Sequence, residues 1–164
     1  MKILVFSDSH SSLRFMFRCV QAVKPDAMIH LGDYFDDGMA LRQEFPDITL
    51  YQVPGNCDSY RCPPGFSDVD IRQIFGVNLY MTHGHKHRVK SGLGALLRDA
   101  RACGVDAVLY GHTHQADCRQ EDGLWILNPG ACGYYGGSAG LIETGDGKIR
   151  DIRILKDEDL LMQK

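Results

Sequence analysis

Potential metal ligands recur in this 164-residue chain at the points where its apolar segments end. These ends read D-S-H from residue 8, G-D from 32, G-N from 55, H-G-H from 83 and G-H-T-H from 111. A lone Asp or His at such a point usually caps a helix or closes a turn. Five such ends in one chain indicate a clustered metal or catalytic centre instead. The candidate ligands are Asp8, His10, Asp33, Asn56, His83, His112 and His114.

The chemistry that this ligand set favours is the hydrolysis of phosphoric esters. Seven ligands exceed the four that close a structural zinc site, so the sequence predicts two ions. Imidazole, carboxylate and amide ligands suit Mn²⁺, Fe²⁺, Co²⁺, Ni²⁺ or Zn²⁺. If one carboxylate bridges ions roughly 3.5–4 Å apart, the ions can lower the pKa of a shared water from about 15.7 towards ~7. They can also clamp both oxygens of an in-line displacement at phosphorus.

Strands must bring these ligands to one place. The apolar runs suited to buried strands are Lys2–Ser7, Ala27–Leu31, Ile48–Val53, Val77–Thr82, Val105–Tyr110 and Leu124–Leu127. In α/β sheets the loops beyond the carboxyl ends of the strands converge on one crevice. Residues that are distant in sequence can therefore meet there.

Helices are predicted between some of these strands. Two one-sided apolar stripes at helical spacing are formed by Leu13, Met16, Phe17 and Val20, and by Leu93, Leu96, Leu97 and Ala100. A further short helix is expected to start at Asp37 and Gly38. The stripes are typical of helices that cover a sheet.

The second half of the chain predicts antiparallel hairpins, each broken by turn residues. These hairpins are Asp68–Thr82 with a break at Gly76, Gln115–Leu127 with a break at Asp122-Gly123, and Leu141–Leu155 with a break at residues 145–147. Parallel βαβ units followed by hairpins predict a mixed, two-sheet α/β fold with helices outside. The length predicts a single domain over residues 1–164.

Composition argues against several kinds of partner. The net charge of -3 and the lack of a Lys/Arg cluster argue against a long nucleic acid. No window approaches the ~18 apolar residues of a membrane span. The six cysteines form no C-x-x-C pair, which fits reduced intracellular thiols. We therefore expect a cytoplasmic protein. The sequence allows both a monomer and a homo-oligomer.

The five motifs, in this order, resemble those of the calcineurin-like metallophosphoesterase superfamily. The resemblance is greatest to its small single-domain phosphodiesterases, often called YfcE-like. All five motifs lie between Asp8 and His114. The resemblance implies a sandwich of two mixed β-sheets flanked by helices, the αββα arrangement of this superfamily.

The resemblance also implies how the ligands divide between the ions. The first ion would be held by Asp8, His10, Asp33 and His114. Asp33 would bridge to the second ion, which would also be held by Asn56, His83 and His112. Mn²⁺ is the first expectation for both ions, with Ni²⁺, Fe²⁺, Co²⁺ or Zn²⁺ as alternatives. The residues expected to act in catalysis are Asp33, Asn56, His83 and His85, with Asn56 pointing at a phosphoryl oxygen and His85 supporting a ligand or contacting the substrate.

Cys57 departs from the family pattern, because many relatives have a histidine at the matching position. A cysteine-dependent phosphatase would need C-x5-R, and from Cys57 that position is Pro63. The neighbouring Asp58 disfavours a thiolate. We expect Cys57 to be a small, half-buried filler, with a weak proton-donor role as the alternative.

The expected function is hydrolysis of a small phosphodiester at two metal ions. The alternatives are a phosphomonoesterase of the same fold and a non-catalytic protein-binding scaffold, such as the retromer subunit that resembles this superfamily. Several hydrophobic side chains could line a pocket or an interface, among them Phe35, Met39, Phe66, Tyr134 and Tyr135.

Overall fold

The fold is a two-sheet sandwich, seen here in a computed structural model that describes residues 1–133 and 137–161. Within these residues there are ten strands and four α-helices. The strands are β1 (Lys2–Phe6), β2 (Ala27–His30), β3 (Thr49–Gln52), β4 (Val69–Ile74), β5 (Val77–Thr82), β6 (Ala107–Leu109), β7 (Asp117–Glu121), β8 (Leu124–Asn128), β9 (Ser138–Gly145) and β10 (Lys148–Lys156). The helices are α1 (Leu13–Val23), α2 (Phe35–Glu44), α3 (Gly94–Ala102) and α4 (Asp157–Leu161).

Both five-stranded sheets are mixed, as the sequence predicted. The first has the strand order β10-β9-β1-β2-β3, with β1, β2 and β3 parallel. The second has the order β4-β5-β6-β8-β7, with β5, β6 and β8 parallel. The three predicted hairpins are present as the antiparallel pairs β4/β5, β7/β8 and β9/β10.

Alternation along the strands separates three layers of core. Ile3 and Val5 of β1 pack into an inner cluster that contains residues of both sheets, including Leu79 of β5. Leu4 and Phe6 of the same strand face the other way, into a cluster with α1. A third cluster joins α3 to the outer face of the second sheet. The sheets therefore face each other, with helices outside, in the predicted αββα arrangement.

Two helical details differ from the sequence prediction. Helix α2 begins at Phe35, two residues before the predicted start at Asp37, because the backbone amide of Phe35 already donates to the buried carboxylate of Asp58. Helix α4 was not predicted, since five residues are too few to show a helical period. No helix among the described residues has the length and apolar character that a membrane span requires.

The hydrophobic side chains proposed as pocket or interface residues have different environments. Phe35 is fully buried, whereas Phe66 and Met39 are exposed. Phe35 and Phe66 make an edge-to-face contact with ring centroids 4.7 Å apart. Tyr134 and Tyr135 lie outside the described residues.

Candidate metal centre

The loop after β1 presents Asp8 and His10 on an unusual backbone. Asp8, His10 and Ser11 have φ angles of 51°, 43° and 70°, in the left-handed region that non-glycine residues rarely adopt. The Asp8 side chain is fully buried. Its Oδ2 accepts hydrogen bonds from Ser7 Oγ at 2.6 Å and from the amide of His112 at 3.0 Å. Its Oδ1 faces Nε2 of His114 at 3.1 Å.

The loops after β2 and β3 are joined by the fully buried carboxylate of Asp58. Asp58 accepts hydrogen bonds from the backbone amides of Asp33 at 2.9 Å, Phe35 at 2.8 Å and Gly55 at 2.7 Å. Asp33 itself has a φ of 60°. Asp58 thus fixes the direction in which Asp33 enters the centre, and it also closes the turn at Gly55.

Gly55 is required by the close approach of these two loops. A Cβ atom at this position would overlap the carboxylate oxygen Oδ1 of Asp33. The same Oδ1 accepts a hydrogen bond from the amide of Cys57 at 2.9 Å. Desolvation alone would raise the pKa of Asp33. The electrostatic effect of His83 and this hydrogen bond together outweigh it, so the pKa is lowered.

Asn56 and Cys57 lie in a single 3₁₀ turn, Asn56–Asp58, and both are exposed. The expectation of a half-buried Cys57 is therefore wrong. Asn56 donates to the Cys57 sulfur at 3.4 Å. Although the side chain is exposed, some loss of solvation, followed by the negative charge of Asp33, raises the pKa of the Cys57 thiol.

His83 is oriented by its hydrogen bond to a backbone carbonyl. Its Nδ1 lies 2.9 Å from the carbonyl oxygen of Leu31, and because a carbonyl only accepts, Nδ1 donates. In the neutral ring Nε2 then carries a lone pair. This atom faces Asn56 Oδ1 at 3.1 Å, His112 Nδ1 at 3.2 Å and Asp33 Oδ2 at 3.5 Å. Burial, followed by repulsion from His83, lowers the pKa of His112 to about 4.

Two groups of ligand atoms consequently meet at Asp33. One atom each from Asp8, His10, Asp33 and His114 lie within 4.8 Å of one another. The second group surrounds Nε2 of His83. Carboxylate, amide and imidazole acceptors that converge in this way can be bound together by a divalent cation. The donors are imidazole, carboxylate and amide oxygen, so the residues fit the intermediate divalent ions that the sequence predicted.

His85 lies beside the second group without entering it. Its ring centroid is 5.5 Å from that of His83 and 6.2 Å from that of His112. Its Nδ1 is buried and has no hydrogen-bond partner among the described residues. Burial, followed by the nearby His83, lowers the pKa of His85. Together with Asn56 it lines a cavity of about 420 Å³ that also contacts Lys86.

The sequence indicated the candidate ligands more readily than the groups that hold them in place. Ser7 was not foreseen, and nothing in its sequence context indicates that it donates to Asp8. Asp58 closes the turn at Gly55 and also holds the backbone of the candidate ligand Asp33. Its signal was the conspicuous G-N-C-D segment.

The fold, the order of the motifs and the geometry of the candidate ligands agree with one superfamily. The chain belongs to the calcineurin-like phosphoesterase superfamily, whose domain model matches residues 1–146.

Individual proteins with similar sequences or structures agree with this family assignment. The chain is 27% identical over 174 residues to a phosphodiesterase of Methanocaldococcus jannaschii, an alignment that covers 93% of this chain and 98% of that protein. A predicted phosphoesterase from Streptococcus pneumoniae superposes with a TM-score of 0.76 at 24% identity and covers 96% of this chain and 90% of its own. Vps29 of Entamoeba histolytica, in complex with Zn²⁺, superposes with a TM-score of 0.72 at 19% identity and covers 96% and 99%. The two structural comparisons show the shared fold.

Proposed function

We propose that this protein hydrolyses a small phosphodiester by attack of a hydroxide that bridges two divalent metal ions. The observation that carries the proposal is the convergence of two ligand groups on the single carboxylate of Asp33. When bound, the ions would supply the hydroxide and neutralise charge on the phosphoryl oxygens. The name of the archaeal relative supports a diester as the substrate.

The chain's own residues would divide the work as follows. Asp33 would bridge the two ions, with Asp8, His10 and His114 completing the first site. Asn56, His83 and His112 would complete the second site. Mn²⁺ is the first choice for both sites, and Ni²⁺, Fe²⁺, Co²⁺ and Zn²⁺ are the alternatives.

Asn56 and His85 would contact the substrate. Both line the same cavity beside the second ligand group, where an ester group of the substrate could lie. The Asn56 side-chain amide could donate to a phosphoryl oxygen while its Oδ1 faces the second metal site. The His85 ring lines this cavity beside the second ligand group, so it could contact a substrate oxygen there.

The cysteines support a reducing cellular compartment for the enzyme. All six are free, and exposed thiols such as Cys57 and Cys103 persist in a reducing compartment. We therefore propose a cytoplasmic enzyme with a small phosphoester substrate.

A substrate and metal panel tests the proposed function. After removal of metals by chelation, aryl phosphodiesters and phosphomonoesters are assayed with Mn²⁺, Ni²⁺ and Zn²⁺, and Asp33→Asn serves as the inactive variant. We expect metal-dependent turnover of diesters, little release of phosphate from monoesters, and loss of turnover in Asp33→Asn. Turnover confined to monoesters would replace the proposal with a phosphatase, and unchanged turnover in Asp33→Asn would refute the catalytic role of the centre.

The structural likeness to Vps29 favours testing a second candidate, a scaffold that binds partner proteins. The retention of all seven candidate ligands supports the enzyme, because a scaffold has no need of Asn56 or His83 in these positions. A purified chain that holds stoichiometric metal but turns over no ester in the panel would favour the scaffold.

A further inference from the structure

A buried chain of three polar side chains lies behind the loop that presents Asp8 and His10. It joins His30 of β2, Ser9 of the loop and Asp37 of α2, all of them buried. His30 Nε2 lies 3.0 Å from Ser9 Oγ, and Ser9 Oγ lies 2.7 Å from Asp37 Oδ2. None of these three residues is a candidate ligand, so the metal centre itself does not explain why they are polar.

The hydrogen-bond partners set the direction of the protons along this chain. The amide of Gly32 donates to His30 Nδ1 at 3.3 Å, so the ring proton of the neutral histidine is on Nε2. Burial lowers the pKa of His30 to about 4, which keeps the ring neutral near pH 7. His30 therefore donates to Ser9, and the Ser9 hydroxyl donates its only proton to the carboxylate of Asp37. The carbonyl oxygen of Asp33, at 3.3 Å from Ser9 Oγ, is the longer and uncharged alternative acceptor.

Asp37 holds the loop on both sides of His10. The same oxygen, Oδ2, that accepts from Ser9 also accepts from the backbone amide of Ser11 at 2.7 Å. His10 lies between these two attached residues. The carboxylate is in the first turn of α2, where the helix dipole favours negative charge.

The loop needs such a restraint because its backbone is strained. Asp8, His10 and Ser11 all have positive φ, in the left-handed region that is unfavourable for non-glycine residues. Such conformations persist only where the surroundings determine them. The Ser9 side chain is anchored between the two strained candidate ligands, so it is placed to hold both of them.

We propose that His30, Ser9 and Asp37 form a positioning chain that keeps Asp8 and His10 in the geometry needed to bind the first metal ion. This inference rests on the proposed function for the identity of the ligands. The three residues would act through the loop and would not touch substrate. Because Asn56, His83 and His112 lie on other loops, the effect should be larger at the first metal site than at the second.

The experiment compares Ser9→Ala, Asp37→Ala and the double variant with two controls. Asp36→Ala removes the neighbouring carboxylate, which is largely exposed, and Ile142→Val introduces a small packing defect in the inner core. Amide hydrogen exchange of residues 8–12 is measured in the metal-free protein, and Mn²⁺ binding is measured by calorimetry in the full chain. The overall unfolding free energy of each variant is measured alongside.

We expect both single variants to speed amide exchange of the loop at least ~10-fold and to weaken one of the two Mn²⁺ sites about 10- to 100-fold, as loss of partners behind metal ligands does. The other Mn²⁺ site should weaken less, and both controls should be unchanged. The double variant should be no weaker than Asp37→Ala alone, because members of one chain are not additive. Should Ser9→Ala fail to fold, Asp37→Ala carries the same comparison.

Two results would overturn the inference or the proposed function separately. Loop exchange and Mn²⁺ affinity that match the controls, in variants of a wild type that binds two ions, would overturn the positioning chain and leave the function intact. Faster loop exchange in the variants of a wild type that binds none of Mn²⁺, Ni²⁺, Fe²⁺, Co²⁺ and Zn²⁺ would overturn the proposed function, while it would still show that the chain restrains the loop.

Discussion

Cys57 occupies the position at which the candidate centre departs most clearly from its family pattern. Its side chain is exposed beside Asn56, and its backbone amide supports Asp33. Desolvation, followed by the negative charge of Asp33, raises the pKa of the Cys57 thiol. The C-x5-R segment that a cysteine-dependent phosphatase needs is absent, because Pro63 stands at the arginine position. What the position contributes is a backbone hydrogen bond, which any residue except proline can supply.

We therefore expect Cys57→His to extend hydrolysis to esters with poorer leaving groups. A histidine here could protonate the departing oxygen, and general acid catalysis typically contributes roughly 10²- to 10⁴-fold in rate. Turnover of alkyl and aryl diesters by the wild type and the variant measures the effect, and a gain of about tenfold or more is expected for the alkyl diesters only. Cys57→Ala is the control and should match the wild type on an aryl diester. Equal selectivity in Cys57→His would show that a missing acid does not limit the reaction.

The side chain of Asp58 connects two structural elements, the loop after β2 and the loop after β3. Asp58→Ala should lower the free energy of unfolding by roughly 3–5 kcal/mol, because three buried amides lose a charged acceptor. Denaturant unfolding of the metal-free protein measures this change. Asp36→Ala, at an exposed carboxylate in α2, should change stability by about 0.5 kcal/mol or less. Similar values for the two variants would mean that Asp58 does not anchor the loops.

The close contact between Gly55 and Asp33 predicts the effect of an alanine at position 55. Gly55 has an extended backbone, with φ of −98°, that alanine can adopt. The added methyl group would nevertheless overlap both the carboxylate and the backbone nitrogen of Asp33, so the loop that carries Asp33 must shift. Gly55→Ala should therefore lose diester hydrolysis while it still folds, as circular dichroism and turnover would show. Gly94→Ala, where a Cβ meets no atom within 4 Å, should keep full activity. Full activity in Gly55→Ala would contradict the close packing of these loops.

The sequence predicted hairpins best where the turn chemistry is local. Asp122-Gly123 and Asp146-Gly147 have positive φ at both residues, as two-residue hairpin turns require, and Asp-Gly is a strong signal for such turns. The start of α2 was harder, because it depends on an acceptor from Asp58 that is 23 residues away. Candidate ligands were found because each follows an apolar strand. Their supports, such as Ser7, were not found because their roles arise only from tertiary contacts.

The candidate centre joins the two halves of the whole molecule. Asp8, Asp33 and Asn56 follow strands of the first sheet, whereas His83 and His112 follow strands of the second. Ions held between them would link the sheets in the folded chain and would have no matching site in the unfolded chain. Metal binding should therefore be coupled to global stability.

Addition of Mn²⁺ to the metal-free protein should raise its stability. At a free concentration of about 100 times Kd, one site contributes ~2.7 kcal/mol, which for a domain of this size is about 5–10 °C in Tm. Thermal unfolding with and without Mn²⁺ measures the shift. Asp33→Asn should show a much smaller shift, since it alters the carboxylate shared by both ligand groups. An equal shift in the variant would mean that Mn²⁺ binds elsewhere.

The most direct test of the two-ion proposal is diester turnover measured as a function of bound Mn²⁺ per chain. Metal-free protein is loaded stepwise, bound metal is quantified by elemental analysis, and hydrolysis of an aryl phosphodiester is followed at each step. We predict that little turnover is present at one equivalent and that it rises to its maximum as the second ion binds. Maximal turnover at one equivalent or fewer would contradict a reaction that depends on two metal ions.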